Sequence, residues 1–230
     1  LKENEADIRR EMERVDADGS KVQKVWEDLI SQEMPSAEAV TETLGRILKE
    51  GKDILHIAFS SALSGSCQNV QVAARDLMED YPERKILVFD SLNASLGEGV
   101  SVMRAALLRR EGKGMEEVLK VLEEERDHVN VWFTVDDLHH LQRGGRVSKT
   151  TAVVGSMINI KPLLTVTAEG KLESAGTVRG RKKALKTLVT KMEESLDLER
   201  FGKDRTVAVI HGDCLEDAQF VADEIRRRMR

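Results

Sequence analysis

The reading of this chain turns on Ser60-Ser61-Ala62-Leu63-Ser64-Gly65-Ser66. An apolar run, Ile54 to Phe59, precedes it and reads as a buried strand. Cys67 to Asp80 follows, where Val70, Ala73, Ala74, Leu77 and Met78 recur at helical spacing. In a strand, hydroxyl-rich turn and helix, the first amides of the helix lack intrahelical partners and present the positive end of its dipole above the turn. The serines add short donors, and Gly65 permits close backbone approach. Such a turn suits an oxyanion. It has neither the G-x-x-x-x-G-K-[ST] of a nucleotide loop nor the G-x-G-x-x-G of a dinucleotide site, so a small head such as a carboxylate fits better than a triphosphate. The competing reading is that the serines simply cap a helix.

A second turn of the same kind lies downstream. Lys85 to Phe89 reads as another buried strand and ends on Asp90-Ser91-Leu92-Asn93-Ala94-Ser95-Leu96-Gly97-Glu98-Gly99, ahead of a helix over Val100 to Arg110. Turns at the carboxyl ends of successive parallel strands lie side by side, where α/β sheets bind ligands, which puts Ser91, Asn93 and Ser95 near the site. Around these strands, Val40, Leu44, Ile47 and Leu48 mark a helix closed by Gly51, and Val118, Leu119 and Leu122 mark one over Met115 to Arg126. The alternation predicts a doubly wound α/β unit. Towards the start, Lys21 to Ile30 reads as a short amphipathic helix, and the charge-dense Leu1 to Asp18 as a solvated or frayed one.

From Asn130 the pattern changes. Val131 to Val135 reads as a strand, Asp136 to Ser148 as a short helix broken by Gly144-Gly145, and Thr150 to Ile160 as an apolar helix stopped before Lys161-Pro162. Leu163 to Thr167 and Lys171 to Val178 flank Ala168-Glu169-Gly170 as a β-hairpin. A helix opening on Arg179-Gly180-Arg181-Lys182-Lys183, a strand at Thr206 to Ile210 and a helix at Leu215 to Met229 complete an α+β unit. The expected organisation is an α/β domain over 1–129 and an α+β domain over 130–230.

Composition sets bounds on function. A net charge of −5 and a pI near 5.7 argue against a general nucleic-acid binder. Aromatic residues are only 3 %, so the core must come from aliphatic side chains and Met. No apolar run reaches the roughly 18 residues of a membrane span and no signal pattern is present, so the expected compartment is the cytoplasm. Cys67 and Cys214 have no zinc or C-x-x-C spacing and are expected as free thiols.

Several residues invite chemical readings. Asp136, His139 and His140 share a stretch, but adjacent histidines on a helix point about 100° apart, and Asp136 reads better as an N-cap than as a metal ligand. No G-x-S-x-G elbow accompanies the serines, so anion holders stand without a general base. Arg143-Gly144-Gly145-Arg146 reads either as a helix C-cap, with its glycines at positive φ, or as guanidinium groups held near the anion or a partner. Cations at the opening of the Arg179–Lys183 helix oppose its dipole, so either something negative meets them or the face is merely solvated.

Five of these stretches, in order, resemble one family. Ser60 to Ser66 is similar to the S-S-x-L-S-G-[TS] of DegV proteins, the bacterial fatty-acid-binding proteins with the EDD fold, and Asp90 to Gly99 to their D-S-x-x-A-S-x-G-x-G. Arg143 to Ser148 resembles their R-G-G-R-[IV]-S, Gly155 to Leu163 their G-x-x-x-N-I-K-P-[IL], and Val178 to Leu185 their V-R-G-x-K-K-A-L. The resemblance implies two α/β domains enclosing a long-chain fatty acid in a tunnel at their seam. Ser64 would bind the carboxylate, Ser61, Gly65 and Ser66 would shape the turn, and Met157 and Ile158 are candidates for the acyl channel. It further implies a non-catalytic carrier without a cofactor, which presents the acid to a separate fatty acid kinase subunit for acyl phosphate formation. Arg179, Arg181, Lys182 and Lys183 would then face that partner or, transiently, a membrane surface.

The chain also departs from the pattern. Nothing in Leu1 to Ser20 resembles the family's opening strand with D-S-[TS]-x-D, and of its T-[ST]-Q-P-S only Pro35-Ser36 match, so Gln32 stands at the threonine position with Ser31 and Ser36 as weak substitutes. The late T-H-x-G-P-G loop is also absent. Two alternatives therefore stay open: a phosphoryl- or acyl-transfer enzyme working at the same turn, and an interaction module that keeps the fold but binds no ligand.

Overall fold

A computed structural model describes residues 36–147, 159–196 and 206–229. Helix α1 (Ala37–Lys49) starts where Ser36 turns its hydroxyl back to accept the Ala39 N–H at 3.2 Å. It ends at Glu50, followed by Gly51 at φ +75°, so the expected glycine stop lies one residue past the cap. Strands β1 (Ile54–Ala58) and β2 (Ile86–Asp90) pair in parallel, Ile54 opposite Ile86 and Ala58 opposite Asp90. Helix α2 (Ser66–Asp80) joins them and packs with α1 on one face through Val40, Leu44, Leu48, Val70, Ala73 and Leu77. Helices α3 (Leu96–Arg110) and α4 (Met115–Glu125) cover the other face, where Phe89, Leu108, Val118 and Leu122 are buried together. This is the expected α/β sandwich, with α3 beginning four residues earlier than its apolar pattern suggests.

After a 3-10 turn at Arg126–His128, strands β3 (Trp132–Phe133), β4 (Ile160–Val166) and β5 (Leu172–Arg179) form an antiparallel sheet in that order. Strand β4 runs through Lys161-Pro162, which the sequence marks as a stop. Strand β3 pairs only opposite Leu164 and Thr165, so Pro162 has no ladder partner on that side and its missing N–H costs no β3 bond. Instead the Thr134 hydroxyl donates to the Pro162 carbonyl at 2.6 Å. Helix α5 (His139–Arg143) is a short connector, and α6 (Arg181–Glu194) buries Ala184, Leu185 and Val189. Helix α7 (Leu215–Arg228) is tied to α6 by Arg228 to Glu193 at 3.0 Å and Arg181 to Asp217 at 2.7 Å.

Three expectations are corrected here. Thr206 to Ile210 forms no strand: it is exposed throughout, and its backbone finds no ladder among the described residues. Asp136 does not cap α5. Its neighbour Asp137 accepts the His139 N–H at 2.8 Å, while Asp136 pairs with Lys161 at 2.7 Å and Arg181 at 3.5 Å. Of the glycine pair, Gly145 takes positive φ (+71°) and Gly144, the C-cap, does not. The readings of Leu1 to Ile30, Ser31, Gln32, Ser148, Gly155, Met157 and Ile158 lie outside the described residues.

One buried hydrogen bond joins the two sheets. The Ser60 hydroxyl donates to the carbonyl of Gly170, at the tip of the β4–β5 hairpin, at 2.8 Å. Gly170 has φ +76°, and a Cβ there would lie 2.3 Å from Ser60 Oγ and 3.1 Å from Leu92 Cα. Only glycine fits this junction.

Candidate functional site

The serine-rich turn is built from backbone bonds that its own side chains complete. Ser60 is fully buried; its carbonyl accepts the Leu63 and Ser64 N–H groups at 3.0 and 3.1 Å, and its N–H donates to the Asn93 carbonyl at 2.9 Å. Asp90, at the end of β2, uses one carboxylate oxygen to accept the Ser61 N–H at 3.2 Å and the Leu92 N–H at 3.0 Å, which binds the two turns together. Gly65 is the N-cap residue of α2 and contributes no side chain. The Ser64 hydroxyl accepts the Ser66 N–H at 3.2 Å, a local bond that gives the first helical amide a partner from the residue before the cap.

The second turn divides its residues between scaffold and surface. The Ser91 hydroxyl donates to the Ala58 carbonyl at 2.7 Å and accepts the Asn93 N–H at 3.2 Å; both residues are buried and hold the strand ends in place. They lie beside the site without reaching it. Ser95 does reach it, from a backbone at φ +55°, and Leu92 has φ +49°. Left-handed conformations at two non-glycine residues in one turn are costly, and such strain concentrates at functional loops. Gly97 packs so closely that a Cβ would meet Asn93 Oδ1 at 2.5 Å and Val131 Cγ2 at 2.8 Å.

Above the turns opens a cleft of about 2370 Å³. Ser64, Ser66 and Ser95 line it beside Leu63 of the first turn, and Leu96, Val100, Met103 and Leu107 continue the wall along α3. The second sheet and its helices supply Trp132, Phe133, Leu188, Val189 and Met192. Ser61, Gly65 and Ser36 are not among the lining residues: the Ser61 N–H is held by Asp90, Gly65 is exposed and Ser36 caps α1. Arg146 crosses from the Arg143–Arg146 loop to donate to the Leu63 carbonyl at 3.3 Å, which brings a guanidinium to the serine turn. That link is invisible in the sequence, where the two residues stand 83 positions apart.

The basic helix opening divides in two. Arg181 turns into the cleft wall, where Asp217 and Asp136 take its charge, so the negative group that meets it belongs to this chain. Arg179, Lys182 and Lys183 stay on the surface, with the Lys182 ammonium 5.8 Å from the centre of the Phe220 ring. The Lys161 and Arg181 cations hold the Asp136 carboxyl below its ordinary range. Cys67, directly after the turn, is buried, and burial together with the Asp90 charge pushes its thiol up, away from nucleophilic use. Both cysteines are free. Among the described residues no group of three or more His, Cys, Asp or Glu side chains could hold a metal, and no helix is long and apolar enough to cross a membrane.

The arrangement is a large cleft with serines of both turns and aliphatic side chains of α3 along its wall, on a mixed α/β fold of a parallel followed by an antiparallel sheet. A family model described as an uncharacterised protein of the DegV family matches residues 13–230, and the chain belongs to that family. A DegV domain-containing protein of Clostridium perfringens, CPE0026, is 38% identical over 200 residues, covering 85% of this chain and 68% of the relative. Among solved structures, the DegV family protein of Thermus thermophilus described for its fatty acid binding is 36% identical, with a TM-score of 0.61 over 70% of this chain and 56% of that one. A DegV family protein of Ruminococcus gnavus, refined with vaccenic acid, is 26% identical with a TM-score of 0.75 over 84% of this chain and 67% of that one. The Streptococcus pneumoniae Fatty Acid Kinase (Fak) B3 protein loaded with linoleic acid shares the fold at 23% identity, with a TM-score of 0.71 over 81% of this chain and 65% of that one. The chain thus spans about two thirds or less of the length of these relatives.

Proposed function

We propose that this chain binds a long-chain fatty acid, with the carboxylate at the Ser60–Ser66 turn and the acyl chain in the cleft. The observation that carries the reading is the placement of Ser64, Ser66 and Ser95 along a cleft whose α3 wall is otherwise mostly apolar. A carboxylate there meets short donors, the start of α2 and the nearby Arg146, while the methylenes leave water. The fatty acids in the solved relatives support the same assignment. On this reading the seam between an α/β domain over 1–129 and an α+β domain over 130–230 is the binding tunnel, and the chain is a carrier in the cytoplasm that performs no chemistry itself. A fatty acid kinase subunit takes the presented acid, and Arg179, Lys182 and Lys183 are the cations exposed to meet it or an anionic lipid surface.

Native mass spectrometry of the freshly purified chain, followed by denaturation and lipid analysis, tests the reading. A long-chain acid released at near one per chain, and lost in Ser64→Ala, is the expected result. A bare protein that also fails to take up added acid would overturn it.

A further inference from the structure

The wall of the cleft along α3 is apolar except at one depth. Leu96, Val100, Met103 and Leu107 recur at helical spacing, but Arg104 also faces the cleft, about 13 Å along the helix axis from Ser95 at 1.5 Å per residue. Its Nε donates to both Glu125 carboxylate oxygens at 3.1 and 2.9 Å, and its Nη2 donates to one of them at 2.7 Å. Nη1 has no hydrogen bond among the described residues, and the pair is about one third exposed, 38% for Arg104 and 32% for Glu125. Behind it lies a separate void of about 30 Å³, which shares Val100, Arg104, Glu125 and Val129 with the cleft. Counted as room for the centre of a water-sized sphere, that exceeds the roughly 10–15 Å³ one water needs. Arg126 also borders this void, but its Nε is closed off within the protein and has no hydrogen-bond partner, since the Asp127 carboxylate is 3.8 Å away. A spare guanidinium donor and a carboxylate acceptor therefore meet at one level of the groove.

A plain alkyl chain laid over that level strips water from an ion pair and returns no hydrogen bond, which is unfavourable. A chain carrying a hydroxyl at that depth accepts from Arg104 Nη1 and donates to Glu125. We propose that Arg104, Glu125 and the void behind them form a polar station that makes the cleft select long-chain carboxylic acids bearing a hydroxyl partway along the chain. The inference rests on the acyl-site reading of the cleft and adds to it the class of acid.

The test is competition binding to the full 230-residue chain between stearic acid and its monohydroxy derivatives, with the hydroxyl near the middle of the chain or next to the carboxyl. The mid-chain hydroxy acid is expected to bind on the order of tenfold more tightly than stearic acid, from one added charge-assisted hydrogen bond. The acid hydroxylated beside the carboxyl should show no such gain. In Arg104→Leu/Glu125→Leu the order should reverse, with stearic acid tightening because no ion pair is stripped. Glu125→Gln, which keeps the side chain's size, should reduce the preference in part, so the test stands even if the double variant fails to fold. Stearic acid bound as well as or better than every hydroxy acid, or a preference that survives both variants, overturns the proposal while leaving the acyl site intact. Binding of no acid at all overturns the acyl-site reading and this inference with it.

Discussion

Ser64 is the residue on which the proposed carboxylate site turns. Its Oγ accepts the Ser66 N–H, and the residue lines the cleft. Ser64→Ala should weaken fatty acid binding by about 1–3 kcal/mol, the cost of a lost hydrogen bond to a charged partner. Acid titration of the two proteins checks this, and equal affinities would remove Ser64 from the carboxylate site. Gly170 is the other position where a single atom decides. Gly170→Ala forces a Cβ against Ser60 Oγ at positive φ and should destabilise the chain by roughly 2–4 kcal/mol, read from the urea midpoint. Ser64 stands out in the sequence because its neighbours spell out a turn. Gly170 does not: it looks like an ordinary hairpin glycine, and its buried partner lies 110 residues away.

The elements differ in how far local pattern fixed them. Strands β1 and β2 and helices α1, α2 and α4 follow directly from apolar spacing, because each buries one face against a neighbour in the same sandwich. The failures occur where a partner decides. Thr206 to Ile210 has strand composition but no strand beside it, and Asp136 has capping chemistry but finds Lys161 and Arg181 closer. Strand β1 also carries a pH dependence. Burial lowers the His56 imidazole pKa from its ordinary value of 6.5, so the folded chain disfavours the proton that the unfolded chain accepts. The folded-state pKa is depressed, and the associated stability is therefore present above about 6.5 and lost as pH falls through the lower folded value. His56→Leu should flatten the urea-stability profile between neutral pH and about pH 5, and an unchanged slope would remove His56 as its source.

Among the described residues, several contacts cross between the two sheets. The Ser60–Gly170 bond, the Arg146 reach to Leu63 and the contact implied by Gly97 against Val131 all converge on the serine turns. A ligand held by both walls should therefore stabilise the entire fold. With free acid at about a hundred times Kd, saturation adds about 2.7 kcal/mol and raises the melting temperature by several degrees. Gly170→Ala should lower acid affinity as well as stability, although no atom of Gly170 is among the lining residues of the cleft. A variant that loses stability and binds acid normally would show that the junction supports the fold alone.

Trp132 lines the cleft, and its indole Nε1 donates to the Ser195 hydroxyl at 3.2 Å. An indole anchored at its polar edge keeps its orientation while the medium against its face changes from water to hydrocarbon. Occupancy is thus written into the colour of the protein's own emission: filling the cleft should shift tryptophan fluorescence to the blue, and Trp132→Phe should abolish the shift.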